Sequence, residues 1–184
     1  YAVFADAKET RGLLNIGGIA NITVLPPGAE AGEVYGFDTG PGNVLMDLWI
    51  GRQLGKAYDE GGAWAASGKV DEALLAALLD EPYFRQPAPK STGRDLFHEQ
   101  WLDAKLARFG DVAPQDVMAT LTRLTATTIA DAIRDEHAGV EAVYACGGGA
   151  YNATLLRGIG DALGGVKVES TAALGIAPNR VEAL

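Results

Sequence analysis

The chain has 184 residues, 48% of them hydrophobic and 21% charged, which is the composition of one globular domain with a substantial core. Its formal net charge of −9 argues against nucleic acid as a partner, because an acidic surface repels a phosphate backbone. No stretch approaches the roughly 20 apolar residues that cross a bilayer, so no membrane partner is expected. The single cysteine, Cys146, excludes an internal disulfide and fits a reducing cytoplasm.

The first part of the chain predicts a β-meander followed by a helix. Two short β-rich runs within 13–25 flank a glycine pair, which is a hairpin pattern. A third strand is predicted over 33–37, and the sequence DTGPGN at 38–43 is typical of a turn. The apolar spacing then predicts a helix over 44–56.

The rest of the chain is richer in helices and ends with strands and helices in alternation. The predicted segments follow in order: a glycine- and alanine-rich loop over 58–68, a helix over 70–79, an irregular loop over 82–93, helices over 95–109 and 114–137, a buried strand over 142–146, a helix over 151–163, a strand over 166–168 and a helix from 178. This order indicates one α/β domain with a mixed sheet flanked by helices, and residues 58–109 are expected to form a helical and loop elaboration.

Two glycine clusters could bind an anion through the backbone. Asn15 precedes the pair Gly17-Gly18, and glycines at a tight hairpin let backbone N–H groups converge on a ligand. A plain hairpin turn explains the same pair and is favoured when the motif is taken alone. In the second cluster, Gly147, Gly148 and Gly149 follow the buried strand and precede a helix, where a ligand could lie on bare backbone. Neither cluster has the spacing of a dinucleotide fingerprint or of a P-loop.

Asp38 is a candidate general base. It opens the predicted turn between a strand and a helix, where a carboxylate is well placed to accept a proton from a hydroxyl or a water. Turn and cap chemistry is the alternative, because Asp, Thr, Gly and Asn all favour such positions. On this motif alone, the structural interpretation is favoured over the catalytic one.

A polar loop and two histidines complete the set of candidates. Lys90, Ser91, Thr92 and Arg94 place two cations and two hydroxyls on one loop, which could bind the polar groups of a substrate. A solvated loop that caps the next helix is the better interpretation without further context. The two histidines, at 98 and 137, lie far apart in helical patterns, so no protein metal site is predicted.

Five segments in fixed order resemble the anhydro-N-acetylmuramic acid kinases. They are NIGGIANITVLP at 15–26, GFDTGPGN at 36–43, YDEGGAWAASGKV at 58–70, PKSTGRDLF at 89–97 and YACGGGAYN at 144–152. The likeness covers nearly the whole chain, and several segments in order are more specific than any single glycine cluster. That family, which acts in bacterial cell-wall recycling, belongs to the superfamily of actin, hexokinase and the heat-shock ATPases. The resemblance therefore implies a ribonuclease-H-like ATPase domain over residues 1–184.

The resemblance also implies a reaction. An ATP-dependent kinase assisted by Mg²⁺ would open the ring of 1,6-anhydro-N-acetylmuramate with water and phosphorylate O6, giving N-acetylmuramate 6-phosphate. Its partners would be the amino sugar and ATP, with a homodimer left open. Two alternatives remain: a non-catalytic actin-like module that binds nucleotide, and a kinase of another sugar in the same superfamily. Asp38 discriminates the first, because a binding module needs the glycines but not the base.

The resemblance assigns roles to individual residues. Asp38 resembles the base that activates the attacking water. The superfamily's second phosphate motif falls on Asn15, Gly17 and Gly18, where many members carry Asp instead of Asn15, so metal handling through this position is doubtful. The remaining assignments are as follows: Gly147, Gly148 and Gly149 to the adenosine motif, and Lys90, Ser91, Thr92 and Arg94 to a family-typical segment expected to bind substrate.

One family feature is missing from the sequence. The first phosphate motif, a turn that contains Gly-Thr-Ser, does not occur, the chain does not begin with Met, and its last residues resemble a helix stopped midway. The chain is therefore expected to be the C-terminal, nucleotide-binding half of such an enzyme, without its N-terminal partner domain. In isolation it is expected to be inactive or very weak.

Overall fold

Five strands form one mixed sheet at the centre of the computed structural model, which describes residues 3–28 and 34–183. The strands are β1 (Arg11–Ile16), β2 (Ile19–Leu25), β3 (Tyr35–Pro41), β4 (Ala142–Cys146) and β5 (Lys167–Ser170). Their order in the sheet is β3-β2-β1-β4-β5. The first three strands pair antiparallel, whereas β4 runs parallel to β1 and β5 runs parallel to β4. The predicted meander and mixed α/β sheet are thus confirmed.

Six α-helices surround the sheet within the described part of the chain. They are α1 (Val44–Leu54), α2 (Ala63–Ser67), α3 (Glu72–Leu79), α4 (Glu99–Leu106), α5 (Pro114–Glu136) and α6 (Ala153–Ala162). Short 3-10 turns lie at Glu60–Gly62, Pro82–Arg85, Gly148–Tyr151, Thr171–Leu174 and Pro178–Ala183. Helices α1 to α5 lie between β3 and β4 in the chain, and α5 leads directly into β4. Helix α6 connects β4 to β5 and packs against α5. None of the described helices has both the length and the apolar surface needed to cross a membrane.

The core lies between the sheet and α5 because side chains alternate along the strands. In β1 and β2, Leu14, Ile16 and Ile22 are fully buried, while the residues between them are partly exposed. Helix α5 turns a buried stripe that includes Leu121 and Ile129 toward this face. Polar side chains on the opposite, more accessible face, such as Asn15, Asn21 and Asp38, are only partly buried.

Three boundaries differ from the sequence predictions. The third strand continues to Pro41, so Asp38 is not in a turn but in the middle of β3, opposite Asn21; Glu33, the predicted start, lies outside the described residues. The loop predicted over 58–68 contains a 3-10 turn and α2. Helix α4 begins at Glu99 because the His98 ring nitrogen Nδ1 accepts the Trp101 N–H at 3.1 Å and so caps the helix.

Residues 58–109 contain α2, α3 and α4 and two 3-10 turns. Helices α2 and α3 pack on α5, and α4 packs on α3 and α1. An aromatic cluster packs the segment between α3 and α4 against α4. Its members are Tyr83, Phe84, Phe97 and Trp101. This cluster lies beside β3, the edge strand that carries Asp38.

Candidate active site

The glycine hairpin between β1 and β2 supports the start of α1. The carbonyl oxygen of Gly18 accepts the N–H groups of Gly42 at 2.8 Å and Val44 at 3.1 Å, and the Gly17 carbonyl accepts that of Asn43 at 2.8 Å. A Cβ atom at Gly42 would lie 2.4 Å from the Gly17 oxygen, so this contact requires glycine. Both hairpin carbonyls are thereby turned toward the helix, which removes them from the surface where an anion would bind.

The second glycine cluster meets the end of β1. Gly147 has a φ of 77°, and a Cβ atom there would lie 2.5 Å from the Asn15 Oδ1. The Cβ position of Gly149 would lie 2.3 Å from Ile16 Cγ2. Because β1 and β4 are parallel, both end at the same edge of the sheet. The structure thus brings together the two glycine clusters that the sequence separates by more than a hundred residues.

Asp38 lies on the accessible face of the sheet, held by three donors. The Asn21 side-chain amide donates to Oδ1 at 3.1 Å, while the Ser91 hydroxyl and the Thr92 N–H donate to Oδ2, each at 3.0 Å. A carboxylate fixed in this way has a defined orientation for accepting a proton from a bound hydroxyl or water. The sequence placed Asp38 and residues 91–92 in separate motifs, and the structure joins them.

The segment 90–94 links Asp38 to the glycine hairpin. The Arg94 guanidinium lies beside Gly18, since a Cβ atom there would be 3.2 Å from Nη2. This arginine is a cation next to the turn where phosphates are expected. Lys90 is oriented differently: its ammonium donates to the carbonyls of Tyr83 at 3.4 Å and Phe84 at 3.2 Å. The structure therefore brings Ser91, Thr92 and Arg94 to the site, but not the Lys90 ammonium.

Burial and nearby charges shift the pKa of two groups in this region, Lys90 and Asp47. Burial lowers the pKa of Lys90, and the negative charges of Asp135 and Glu136 partly oppose this effect. Asp47, in the first turn of α1, is half-buried, and loss of solvent raises its pKa to about 6, against the opposing charge of Arg94. The Asp47 carboxyl thus changes its charge close to physiological pH.

A cavity of about 630 Å³ opens beside the second glycine cluster. Gly148 and Gly149 line one wall, and residues 58–61 line the other. The rings of Tyr58 and Tyr151 also line it and are 62% and 59% exposed, so both are accessible to a planar ligand. Sequence reasoning missed both tyrosines, although Tyr58 opens the YDEGG segment that resembles the kinase family and Tyr151 directly follows the glycine cluster.

The outer wall of this cavity is held in place by specific contacts. The Thr154 hydroxyl at the start of α6 donates to the Gly62 carbonyl at 2.9 Å. Asp59 is buried and accepts the N–H groups of Trp64 and Ala65, each at 2.9 Å. The Thr154 bond ties residues 58–62 to the start of α6, and the Asp59 bonds hold the turn at 59–65 in shape.

Mg²⁺ fits this site only as a partner of a bound phosphate. Among residues 3–28 and 34–183, no group of three or more His, Cys, Asp or Glu side chains could hold a metal ion. Carboxylate oxygens in this region belong to Asp38 and Asp47. Mg²⁺ commonly takes one or two protein oxygens and completes its shell with phosphates and water. The donor set agrees with that mode of binding.

The strand order, the α5 crossover and the glycine turns at one edge define a ribonuclease-H-like domain of the actin-like ATPase class. One solved structure with this fold is the activator of the 2-hydroxyisocaproyl-CoA dehydratase from Clostridium difficile with bound ADPNP. It matches with a TM-score of 0.53 and 16% identity, over 92% of this chain and 59% of that one. Within this class, a sequence profile of anhydro-N-acetylmuramic acid kinase matches residues 1–184, and the chain belongs to that family.

Curated relatives agree with this assignment. The anhydro-N-acetylmuramic acid kinase of Burkholderia vietnamiensis is 58% identical over 99% of this chain and 48% of its own length. That of Burkholderia mallei is 54% identical over 99% of this chain and 50% of its own length. The chain spans about half the length of the curated relatives it matches.

Proposed function

We propose that this chain is the nucleotide-binding, C-terminal half of an ATP-dependent kinase acting on 1,6-anhydro-N-acetylmuramate. The observation that carries the proposal is the continuous site formed by the Asp38 carboxylate, the segment 91–94 and the two glycine clusters. The family and its curated relatives supply the substrate, which this half of the site does not define. The expected first phosphate motif would come from the remaining half of the protein.

The triphosphate would lie against the backbone of the two glycine clusters. The hairpin at Gly17 and Gly18 turns its carbonyls toward α1 and has the Arg94 cation beside it. A site of this kind stabilises phosphate charge through fixed backbone dipoles and a nearby cation. The base would occupy the cavity of about 630 Å³, where Tyr58 and Tyr151 offer exposed aromatic faces.

Asp38 would act as the general base for the ring-opening step. Its carboxylate accepts a proton from a water as that water attacks C1 of the anhydro sugar and the C1–O6 bond breaks. The freed O6 attacks the γ-phosphorus of ATP, and ADP leaves. Ser91 and Thr92 keep the carboxylate in one orientation during this step. Mg²⁺, held by the phosphates and by an oxygen of Asp38, would neutralise charge on the transferred group.

The expected partners are therefore ATP and a small amino sugar, and the expected place is the bacterial cytoplasm, where ATP is available. In that setting the reaction would serve the recycling of cell-wall sugars. The formal charge of −9 supports the expectation that nucleic acid is not a partner.

The test uses the full-length enzyme with ATP and 1,6-anhydro-N-acetylmuramate. Asp38→Asn should lower kcat by about 10²–10⁴-fold, because it removes the proton acceptor, while ATP affinity stays close to that of the wild type. This change disturbs the structure little, because the Asn21 amide can rotate to present its oxygen to the new NH₂ group. Asp111→Asn, at an exposed carboxylate outside the site, is the matched control.

Three outcomes separate the alternatives. Loss of phosphorylation in Asp38→Asn alone supports the kinase with Asp38 as base. ATP binding without sugar phosphorylation in the wild type would indicate a nucleotide-binding module. Faster phosphorylation of a different sugar in a substrate panel would indicate another kinase of the same superfamily.

A further inference from the structure

The segment 83–92 bonds to Asp38 at the backbone as well as at the carboxylate. The Tyr83 hydroxyl donates to the Asp38 carbonyl at 2.7 Å, and the Asp38 N–H donates to the Lys90 carbonyl at 3.0 Å. Ser91 and Thr92 donate to the carboxylate. Strand β3 is the edge of the sheet, so its outer backbone groups would otherwise be unpaired. One segment thus sets both the backbone position and the side-chain orientation of Asp38.

Lys90 holds this segment in its folded form. Its ammonium donates to the carbonyls of Tyr83 and Phe84 and lies 5.0 Å from the centre of the Tyr83 ring. These contacts join the two ends of the segment, with Tyr83 at one end and the residues that bind Asp38 at the other. A cation shared between two carbonyls and an aromatic face is a specific, directional connection.

The Lys90 ammonium lies on the opposite side of β3 from the Asp38 carboxylate. It lines a cavity of about 650 Å³ together with Phe37 and Thr39, the two neighbours of Asp38 in the strand. Successive side chains of a strand point to opposite faces, so a group beside Phe37 and Thr39 is separated from the Asp38 carboxylate by the strand itself. A sugar bound at Asp38 would therefore not contact this ammonium.

The aromatic cluster gives Tyr83 a rigid support. Only 4% of Tyr83 is exposed, and its ring packs edge-on against Phe97 and Phe84 at 6.1 and 6.2 Å between centres. Phe97 is fully buried and also packs edge-on against Trp101. The aromatic cluster is thereby connected to the Asp38 backbone through the Tyr83 hydroxyl group.

We infer that Tyr83 and Lys90 are positioning residues for Asp38: they lock the segment 83–92 against β3 and so orient the carboxylate, without contacting the sugar. The inference rests on the proposed function in taking Asp38 as the base. It adds a task for the elaboration at 58–109, which carries the aromatic cluster. It also gives Lys90 a different role from the substrate contact that the sequence indicates.

The experiment compares Tyr83→Phe and Lys90→Met with Lys105→Met in the full-length enzyme. Lys105 is a matched control, because its ammonium also donates to two carbonyls, those of Ala77 and Asp80, and lies 5.5 Å from the Trp101 ring centre. Its contacts do not reach Asp38. Steady-state kinetics with ATP and the anhydro sugar are measured together with amide hydrogen exchange at Asp38 and Thr92.

We expect kcat to fall about 10–100-fold in Tyr83→Phe and in Lys90→Met, because a displaced carboxylate is a poorer base. Both KM values should stay within about twofold of wild type, since no substrate contact is lost. Exchange at the Asp38 and Thr92 amides should accelerate in Lys90→Met. Lys105→Met should match the wild type in kcat and in the exchange of these two amides.

Several results would overturn the inference. A raised KM for the sugar with unchanged kcat in Lys90→Met would make Lys90 a substrate ligand. Equal losses in Lys90→Met and Lys105→Met would reduce the effect to general destabilisation. Unchanged kcat and unchanged amide exchange in Tyr83→Phe and Lys90→Met would show that neither residue positions Asp38. If the wild type does not phosphorylate the sugar, the proposed function fails, and the exchange of the two amides still decides the positioning role.

Discussion

Gly42→Ala should destabilise the hairpin at Gly17-Gly18, although the substitution adds only one methyl group. The added Cβ would lie 2.4 Å from the Gly17 carbonyl oxygen and 3.2 Å from the Ala20 nitrogen. Both are backbone atoms, so neither can rotate away as a side chain could. The Gly17 oxygen already accepts the Asn43 N–H, and the Gly42 N–H itself bonds to Gly18, so relief of the clash must stretch these bonds.

The magnitude follows from these contacts. Overpacking of this kind costs about 1–3 kcal/mol, and weakening two or three backbone hydrogen bonds adds about 1 kcal/mol each. Because the bonds stretch and do not all break, a loss of about 3 kcal/mol in unfolding free energy is expected for Gly42→Ala. For a chain of this size that corresponds to a fall in Tm of about 6–12 °C.

The assay is thermal unfolding by circular dichroism, with Gly51→Ala as the control. Gly51 lies inside α1, and its added Cβ would meet only ordinary contact, 3.5 Å from the Lys56 oxygen. Replacing this helical glycine should raise stability by about 0.5–1 kcal/mol. The reasoning is refuted if Gly42→Ala melts within about 2 °C of the wild type, a shift that corresponds to less than 1 kcal/mol.

Two further predictions concern Asp47 and Thr154. The pKa of Asp47 is about 6 in the folded chain, above its ordinary value of 3.8. Between these two values the folded chain keeps a proton on Asp47 that the unfolded chain releases. The unfolding free energy therefore falls as pH rises from about 4 to about 6. Half of the group remains in solvent, so the effect is reduced. The unfolding free energy of Asp47→Asn minus that of the wild type should increase by about 1 kcal/mol from pH 4.5 to pH 7, measured by urea unfolding. The same difference at both pH values would contradict this. Thr154→Val removes the hydrogen bond to Gly62 and should lower the unfolding free energy by about 1 kcal/mol. It should also weaken nucleotide binding about tenfold, measured by calorimetry. Thr23→Val, remote from the cavity, should leave the affinity unchanged.

Local pattern predicted the fold well, because hydrophobic alternation and glycine placement act over a few residues. The hairpin around Gly17-Gly18 and the buried strand before Gly147 were both found from the sequence. The turn predicted at Asp38 was wrong, because pairing with β2 overrides the turn preference of Asp, Gly and Pro. Pro41 is tolerated in β3 because this strand is at the edge of the sheet.

The arrangement of the site depends on contacts that no local pattern contains. The bonds from Ser91 and Thr92 to Asp38 span more than fifty residues, and only the folded sheet brings them together. The sequence identified Lys90 as part of the right segment, but the direction of its side chain follows from the packing of Tyr83. Tyr58 was missed for a similar reason, since its exposure into a cavity is a tertiary property.

The bonds that join the glycine hairpin to α1 restrict how this part of the chain can move. Helix α1 has no side-chain cap at Asn43, and the N–H groups of Asn43 and of its first residue, Val44, bond to the hairpin carbonyls instead. We expect the hairpin and the helix to move together as one rigid unit, because separating them would break these hydrogen bonds and leave buried polar groups unpaired. The phosphate site proposed at this hairpin would then need no rearrangement of the hairpin itself to receive a ligand.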